Sequence, residues 1–439
     1  MIELFSILLQ VLTFLLIFSF PFNPSNLNKL VSTRGNPLNY IDCYLVNIVF
    51  ILNLLLFFSF LNIKLEYIFI VLLVISIFFT ILNRNYLIEK INKKNLMKFI
   101  FFIIIFYSMC VMMAHAPKLE WDGFHWISKS LVFVNNQEIQ TLQNADMPMY
   151  PHLGGYLWAL FWKNSYLELE YFGRFFPIFF YLISIFSIFN LLKIKSEKII
   201  FILIFTIIYL TYDQYLFAGY QEYYIFSLLV ASARFITIID FTQKINYRKF
   251  FLVFGIMSLM MWFKDEGIFY FLIFASLLLF MINDSLIKKF ILFSVILLMI
   301  VIQHYLQKNI IGIYGFHTDI INEEILRQLL DIRRVLIEII AISKHLIIGF
   351  IKYPLWFFIF ISFGFFLTLK SKKNIYFLYF FYAFILNILL IYAIYLREPG
   401  DVEFTLSVTL DRLLFQTSGF YLIIFIYMLN KIKFNKNNF

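Results

Sequence analysis

Five short clusters hold most of the side chains in this chain that could handle protons or bind an anion. The first is Trp121-Asp122-Gly123-Phe124-His125-Trp126. A carboxylate walled by two indoles is partly shielded from water, a setting in which Asp122 could act as a general base. His125 lies three residues on, so one helical turn would bring it to the same face. Asp122 would serve equally well as the cap of a short helix, with Gly123 easing the turn. The second cluster runs Met147-Pro148-Met149-Tyr150-Pro151-His152-Leu153-Gly154-Gly155-Tyr156. Prolines followed by glycines suggest a rigid turn into a re-entrant or interfacial helix, or a plain structural corner. In the third, Gly219-Tyr220-Gln221-Glu222-Tyr223-Tyr224, an acid stands at the mouth of an apolar run. The fourth, Lys264-Asp265-Glu266-Gly267, puts three charges between two short apolar runs. Charges at that depth need partners or a water-filled cavity, unless the segment is a hydrated hairpin. The fifth begins at Glu398-Pro399-Gly400-Asp401-Val402-Glu403-Phe404-Thr405-Leu406 and continues to Asp411-Arg412. A guanidinium beside an acid suits an anionic lipid headgroup, because it binds phosphate oxygens in a bidentate fork. A snorkelling interfacial arginine would look the same in sequence.

The elements that must position these clusters follow from composition. Of 439 residues, 62% are hydrophobic and 14% charged, which excludes an ordinary soluble domain. The apolar runs recur along the whole chain, so a targeting segment does not account for them either. The fold class expected is all-α: one polytopic transmembrane helical bundle over residues 1–439, since unpaired backbone cannot face lipid. The runs 2–22, 43–63, 65–83, 99–116, 172–192, 199–217, 223–240, 250–263, 268–283, 290–306, 346–369, 375–396 and 415–430 make about thirteen helices. The shortest, 250–263 and 268–283, are separated only by Lys264–Gly267.

Orientation follows from Lys and Arg. The connectors Arg84–Lys98, Lys193–Lys198, Lys244–Lys249, Lys288–Lys289, Lys370–Lys373 and the tail from Lys431 fall on one side if the spans alternate. That places the N-terminus outside, the C-terminus in the cytoplasm, and the acids and histidines mostly outside. The formal charge of +10 is thus a topology signal, and nucleic acid is not an expected partner. The outer insertions are 117–171 and 307–345. Segment 320–345 alternates Ile321, Ile325, Leu329, Leu336 and Ile340 with Glu324, Arg327, Arg334 and Glu338, the pattern of an amphipathic helix in the interface. Trp158 and Trp162 fit an aromatic belt. Cys43 and Cys110 lie in apolar stretches, and no motif supports a zinc site or a divalent metal. The sixty phenylalanines accompany a richness in Ile, Asn, Lys and Tyr, which a codon bias explains better than function.

In their order, the five clusters resemble those of the polytopic GT-C glycosyltransferases, in particular bacterial relatives of the protein O-mannosyltransferase and aminoarabinose-transferase group. Asp122 stands where that family has an acid in its first large outer loop. Tyr150-Pro151-His152 through Tyr156-Leu157-Trp158 is similar to its Tyr-Pro-Pro-x-x-x-Tyr-Leu segment, followed here by Gly173-Arg174-Phe175. Lys264-Asp265-Glu266-Gly267 resembles a Lys-Asn-Glu-Gly run, and Asp401 to Arg412 resembles an Asp-Leu-x-Trp-His-Leu then Ser-x-Asp-Arg pattern. His152 replaces a second proline, Phe404-Thr405 replaces Trp-His, and no acidic pair spaced one residue apart is present. The likeness covers 99–430, leaving 1–98 as extra N-terminal helices.

It implies transfer of a sugar from a polyprenyl-phosphate donor to a glycan, lipid or protein acceptor on the extracytoplasmic face. Asp122 would be the general base, and Lys264 and Arg412 would hold the donor phosphate. Asp411 would orient Arg412, and Glu222, Glu266, His125 and His152 would contact substrate. A polymerase or ligase of lipid-linked polysaccharide is the alternative, with Arg327, Arg333, Arg334 and His345 as its cationic groups. A transporter or flippase would call for inverted repeats, and none is evident in the sequence.

Overall fold

A backbone in lipid must satisfy its own polar groups, and long runs of Leu, Ile and Phe do so as helices. The computed structural model describes residues 1–31, 38–84, 93–116, 118–194, 196–212, 214–312, 328–368, 375–397 and 402–436. Arg327, Glu398 to Asp401, Lys370–Lys373, much of Arg84–Lys98 and the start of segment 320–345 lie outside the described residues. Among those described there is no strand.

The helices, in order, are α1 (Ile2–Ile17), α2 (Pro24–Val31), α3 (Tyr40–Ser59), α4 (Leu65–Leu82), α5 (Lys93–His115) and α6 (Trp121–Val134). Next come α7 (Leu153–Lys163), α8 (Phe175–Phe189), α9 (Glu197–Thr211), α10 (Glu222–Ile236), α11 (Tyr247–Ser258) and α12 (Glu266–Met281). The chain closes with α13 (Leu286–Tyr305), α14 (Ile332–Lys352), α15 (Pro354–Thr368), α16 (Ile375–Leu396) and α17 (Val402–Lys436). Each of the expected spans contains a helix. Among the described residues, seven helices are long and apolar enough to cross a membrane, or eight if α14 and α15 count as one broken span. Two of the shorter helices sit fully inside: all fifteen residues of α8 and all fifteen of α10 are buried.

Described residues of several basic connectors lie near one end of the bundle. Lys98 pairs with Glu197 at 3.8 Å, the Lys193 amide donates to Asn430, and Lys249 donates to the Ile238 carbonyl. Close to that end, Asp42 closes the N-terminal capping box of α3 and takes a bidentate bond from Arg234 of α10, at 3.0 and 2.8 Å. Ser187 of α8 adds a third bond at 2.5 Å, and both members of the ion pair are buried. This clamp ties α3 to the core.

At the other end, segment 117–171 is folded rather than a loop, since it contains α6 and α7. Gly155 lets these two pack closely: a Cβ there would lie 2.9 Å from Lys129 Cβ and 3.3 Å from the Trp126 carbonyl. Trp158 corrects the aromatic-belt reading. It is 2% exposed and donates its indole N–H to the Glu170 carbonyl, so it is a packing residue.

The amphipathic helix also ends later than its sequence pattern suggests. α14 runs to Lys352 and meets α15 at 96°. Pro354 is the cause, because it cannot donate to the preceding turn but is well suited to open a new helix. The expected span 346–369 is therefore shortened to Pro354–Thr368. Ile332, Leu336, Ile340, Ile347 and Ile351 form an exposed stripe on α14, opposite the buried Glu338, Ile342, Leu346 and Gly349.

Candidate active site

Local backbone geometry explains why Asp122 is where it is. Asp122 lies in the first turn of α6, where a negative charge suits the helix dipole. Gly123 is pressed onto the 218–219 backbone, and a Cβ there would lie 2.2 Å from the Ala218 carbonyl oxygen. Gly219 has φ +87° and passes under the Trp158 ring, a path that requires glycine. Arg174 braces both segments. It donates to the Phe217 carbonyl at 2.5 Å, to that of Lys118 at 3.4 Å and to Glu170 at 2.8 Å, with its guanidinium 5.7 Å from the Trp158 ring centre.

This crossing brings Asp122 to Arg412, which reaches in from α17 and donates to Asp122 Oδ2. The same Arg412 nitrogen is 3.5 Å from Glu222 Oε1, and its guanidinium lies 5.6 Å from the Tyr220 ring centre. Glu222 opens α10 and accepts a bond from Lys264 Nζ at 2.7 Å. Lys264 stands in the tight turn before α12, where a Cβ on Gly267 would lie 2.0 Å from the Met260 carbonyl oxygen. Four charges from four distant segments thus form one chain, Asp122–Arg412–Glu222–Lys264. Through the shared Glu222 oxygen, the two cationic nitrogens lie within about 6 Å of each other. The second oxygen, Glu222 Oε2, is buried and has no hydrogen-bond partner among the described residues.

Electrostatics extends the cluster. Burial works against the Lys264 ammonium, but Glu222 and then Glu266 outweigh it and hold its pKa above the ordinary lysine value. Burial pushes Asp265 up to about 7, with Glu266 adding to the shift and Lys264 and Lys129 opposing it. Lys129 is pushed down to about 7 by burial, against Asp265 and Asp146. Its ammonium donates to the carbonyls of Pro148 and Tyr150, at 3.1 and 2.9 Å, and so pins the second cluster to α6. Tyr150 is raised to about 12 by burial, with Lys264 opposing the shift and Glu266 and Asp122 adding to it.

Of the residues singled out in sequence, Asp122, Glu222, Lys264 and Arg412 come together, and Glu266 adjoins them. The others do not join. His125 shares the face of α6 but pairs with Asp146. His152 is fully buried, bonded to Ser59 at 2.7 Å and caged by Phe60, Phe133 and Trp262. Asp411 pairs with Lys352 at the end of α14 instead of orienting Arg412, so Asp122 and Glu222 take that task. The two indoles do not wall Asp122 either. Trp121 is 84% exposed, and Trp126 is buried in a stack on Tyr150. Sequence reading missed Lys129, Asp146 and the Tyr220 platform. The signals for the last two were positional: Tyr220 stands between Gly219 and Glu222, and Asp146 directly precedes the second cluster.

Among the described residues, no group of three His, Cys, Asp or Glu side chains is arranged to hold a metal ion. Chemically, the site offers two cations that can hold one anionic group and a carboxylate within reach of the same place. No family model, no curated protein and no solved structure matches this chain. Among the described residues, the fold defines an all-helical protein with seven or eight helices able to cross a membrane and a largely buried charge cluster among their connections.

Proposed function

We propose that the protein is a GT-C-like membrane glycosyltransferase that moves a sugar from a polyprenyl-phosphate donor to an acceptor hydroxyl. The single observation that carries the reading is the Asp122–Arg412–Glu222–Lys264 chain, which sets a proton acceptor beside two cations able to hold a phosphate. Arg412 and Lys264 bind the donor phosphate and stabilise the charge that grows as it leaves. Asp122 takes the acceptor's proton, a contribution of about 10²–10⁴ in rate. Glu266 and the second oxygen of Glu222 accept bonds from sugar hydroxyls.

In this reading thirteen helices cross the cytoplasmic membrane. The basic end faces the cytoplasm by the positive-inside rule, and the charge cluster opens to the extracytoplasmic side. α14 lies along the outer interface with its isoleucine stripe in lipid. The energy for transfer lies in the donor's phosphate ester, so neither nucleotide nor ion gradient is needed. A polymerase or ligase would rely instead on Arg333, Arg334 and His345 of α14, where Arg334 pairs with Glu338 on its own helix at 2.5 Å.

The test is donor turnover in proteoliposomes supplied with polyprenyl-phosphate hexoses and pentoses and a mixture of lipid and glycan acceptors. Release of polyprenyl phosphate that Asp122→Asn abolishes supports the reading. Turnover of lipid-pyrophosphate oligosaccharides alone would favour the polymerase or ligase.

A further inference from the structure

Both cations of the site are already engaged by acids, and one of those acids is the proposed base. Arg412 bonds Asp122, and Lys264 bonds Glu222 at 2.7 Å. Without a ligand the four charges cancel, so neither a free base nor a free phosphate clamp is present. The two cations differ in freedom. Lys264 and Glu222 have side chains 7% and 2% exposed, whereas those of Arg412 and Asp122 are 16% and 20% exposed. Arg412 also lies over Tyr220, a ring face along which a guanidinium can shift while keeping its attraction.

We propose that Arg412 is an exchange element. An arriving lipid phosphate takes Arg412's bond from Asp122, and the carboxylate is freed as a base only when the donor is bound. Glu222 is the positioning residue, keeping Lys264 and the base of the clamp in place throughout. This rests on the function proposed above and adds an order: donor first, then proton transfer. As the acceptor oxygen bonds the anomeric carbon, its O–H bond breaks and the proton passes to Asp122. The bond from that carbon to the phosphate oxygen breaks, and its electron pair stays on the lipid phosphate. Asp122, now protonated, no longer competes for Arg412, which remains with the more highly charged leaving group. The exchange has a chemical use, since without a donor neither charge stands unpaired, and donor binding itself supplies the free base.

Farnesyl phosphate serves as the probe, with binding measured by calorimetry on the full chain in micelles. Asp122→Asn should bind it about three- to tenfold more tightly than wild type, because a partly exposed ion pair no longer competes, while transfer is lost. Arg412→Gln should bind at least tenfold more weakly. If Asp122→Asn binds no more tightly while Arg412→Gln binds weakly, the exchange is overturned and the phosphate site stands. If Arg412→Gln and Lys264→Gln both bind as wild type, the proposed function itself falls. A measurement on wild type avoids dependence on variant folding. Amidation of Asp122 by a water-soluble carbodiimide, read by mass spectrometry, should rise when farnesyl phosphate is added. Protection of Asp122 would overturn the exchange.

Discussion

Replacing Lys264 with Gln should cost far more than removing a surface charge, and most of that cost should vanish when Glu222 is changed as well. The pair is 2.7 Å apart, with side chains 7% and 2% exposed. Removing one partner leaves a charge in a poorly solvated place, which typically costs about 3–5 kcal/mol. Arg412 stands 3.5 Å from the same Glu222 oxygen and can take up part of the orphaned charge, so the low end, about 3 kcal/mol, applies to Lys264→Gln. Glu222→Gln leaves the Lys264 ammonium buried and should cost about as much. The double variant removes both charges and keeps similar shapes. Its cost should fall below the sum of the two by about 2 kcal/mol or more, the range seen for residues in direct contact. Equilibrium unfolding in mixed micelles measures all three. Single costs under about 0.5 kcal/mol that simply add would refute the idea that this pair organises a dry site.

Four further outcomes are expected. Gly123→Ala should destabilise the fold by about 1–3 kcal/mol, because its Cβ meets the Ala218 backbone oxygen at 2.2 Å. Gly255→Ala, with nothing within 4 Å, should be neutral or slightly stabilising in the same unfolding assay. His152 stays neutral in the fold down to about 3, since burial and then Lys129 disfavour its charged form. The unfolded ring binds a proton near 6.5, so the stability His152 contributes is full above that pH and lost as pH falls, by about 1.4 kcal/mol per unit. His152→Gln should therefore gain about 2 kcal/mol relative to wild type between pH 6.5 and pH 5, and parallel pH curves would contradict this. Asp42→Asn should cost about 3 kcal/mol by leaving Arg234 buried and half paired. Arg234 is twelve residues from Glu222 on α10, about 18 Å along the axis, so farnesyl phosphate affinity of the folded variant should be unchanged.

The helices and the site's charged members were readable for different reasons. Apolar runs announce helices whatever surrounds them, so spans such as Tyr40–Ser59 and Ile375–Leu396 fall where the runs do. Asp122, Glu222, Lys264 and Arg412 stood out because charge is scarce beside such runs and must find a partner there. Which partner each finds depends on tertiary crossings that spacing does not encode. Asp411 is adjacent to Arg412 in sequence, yet it points one residue further round α17 toward Lys352, while Asp122 arrives from 290 residues away. Asp146 and Lys129 went unread because an exposed acid and an amphipathic lysine are ordinary features of any helix or loop. Trp158 misled for a related reason: an indole at an interface and an indole under Gly219 look alike until the φ of +87° is known. The crosswise course of α14 was visible in Pro354, but its last apolar turns merge with those of α15 in any hydropathy average.

The central claim is that Arg412 and Lys264 together hold a lipid phosphate beside Asp122. The most direct measurement is a cryo-electron microscopy structure of the protein in nanodiscs with bound farnesyl phosphate. Phosphate density within hydrogen-bonding distance of both Arg412 and Lys264, with Asp122 released from the guanidinium, is the expected result. Phosphate density on Arg333 and Arg334 of α14, with the Asp122–Arg412 pair intact, would contradict it.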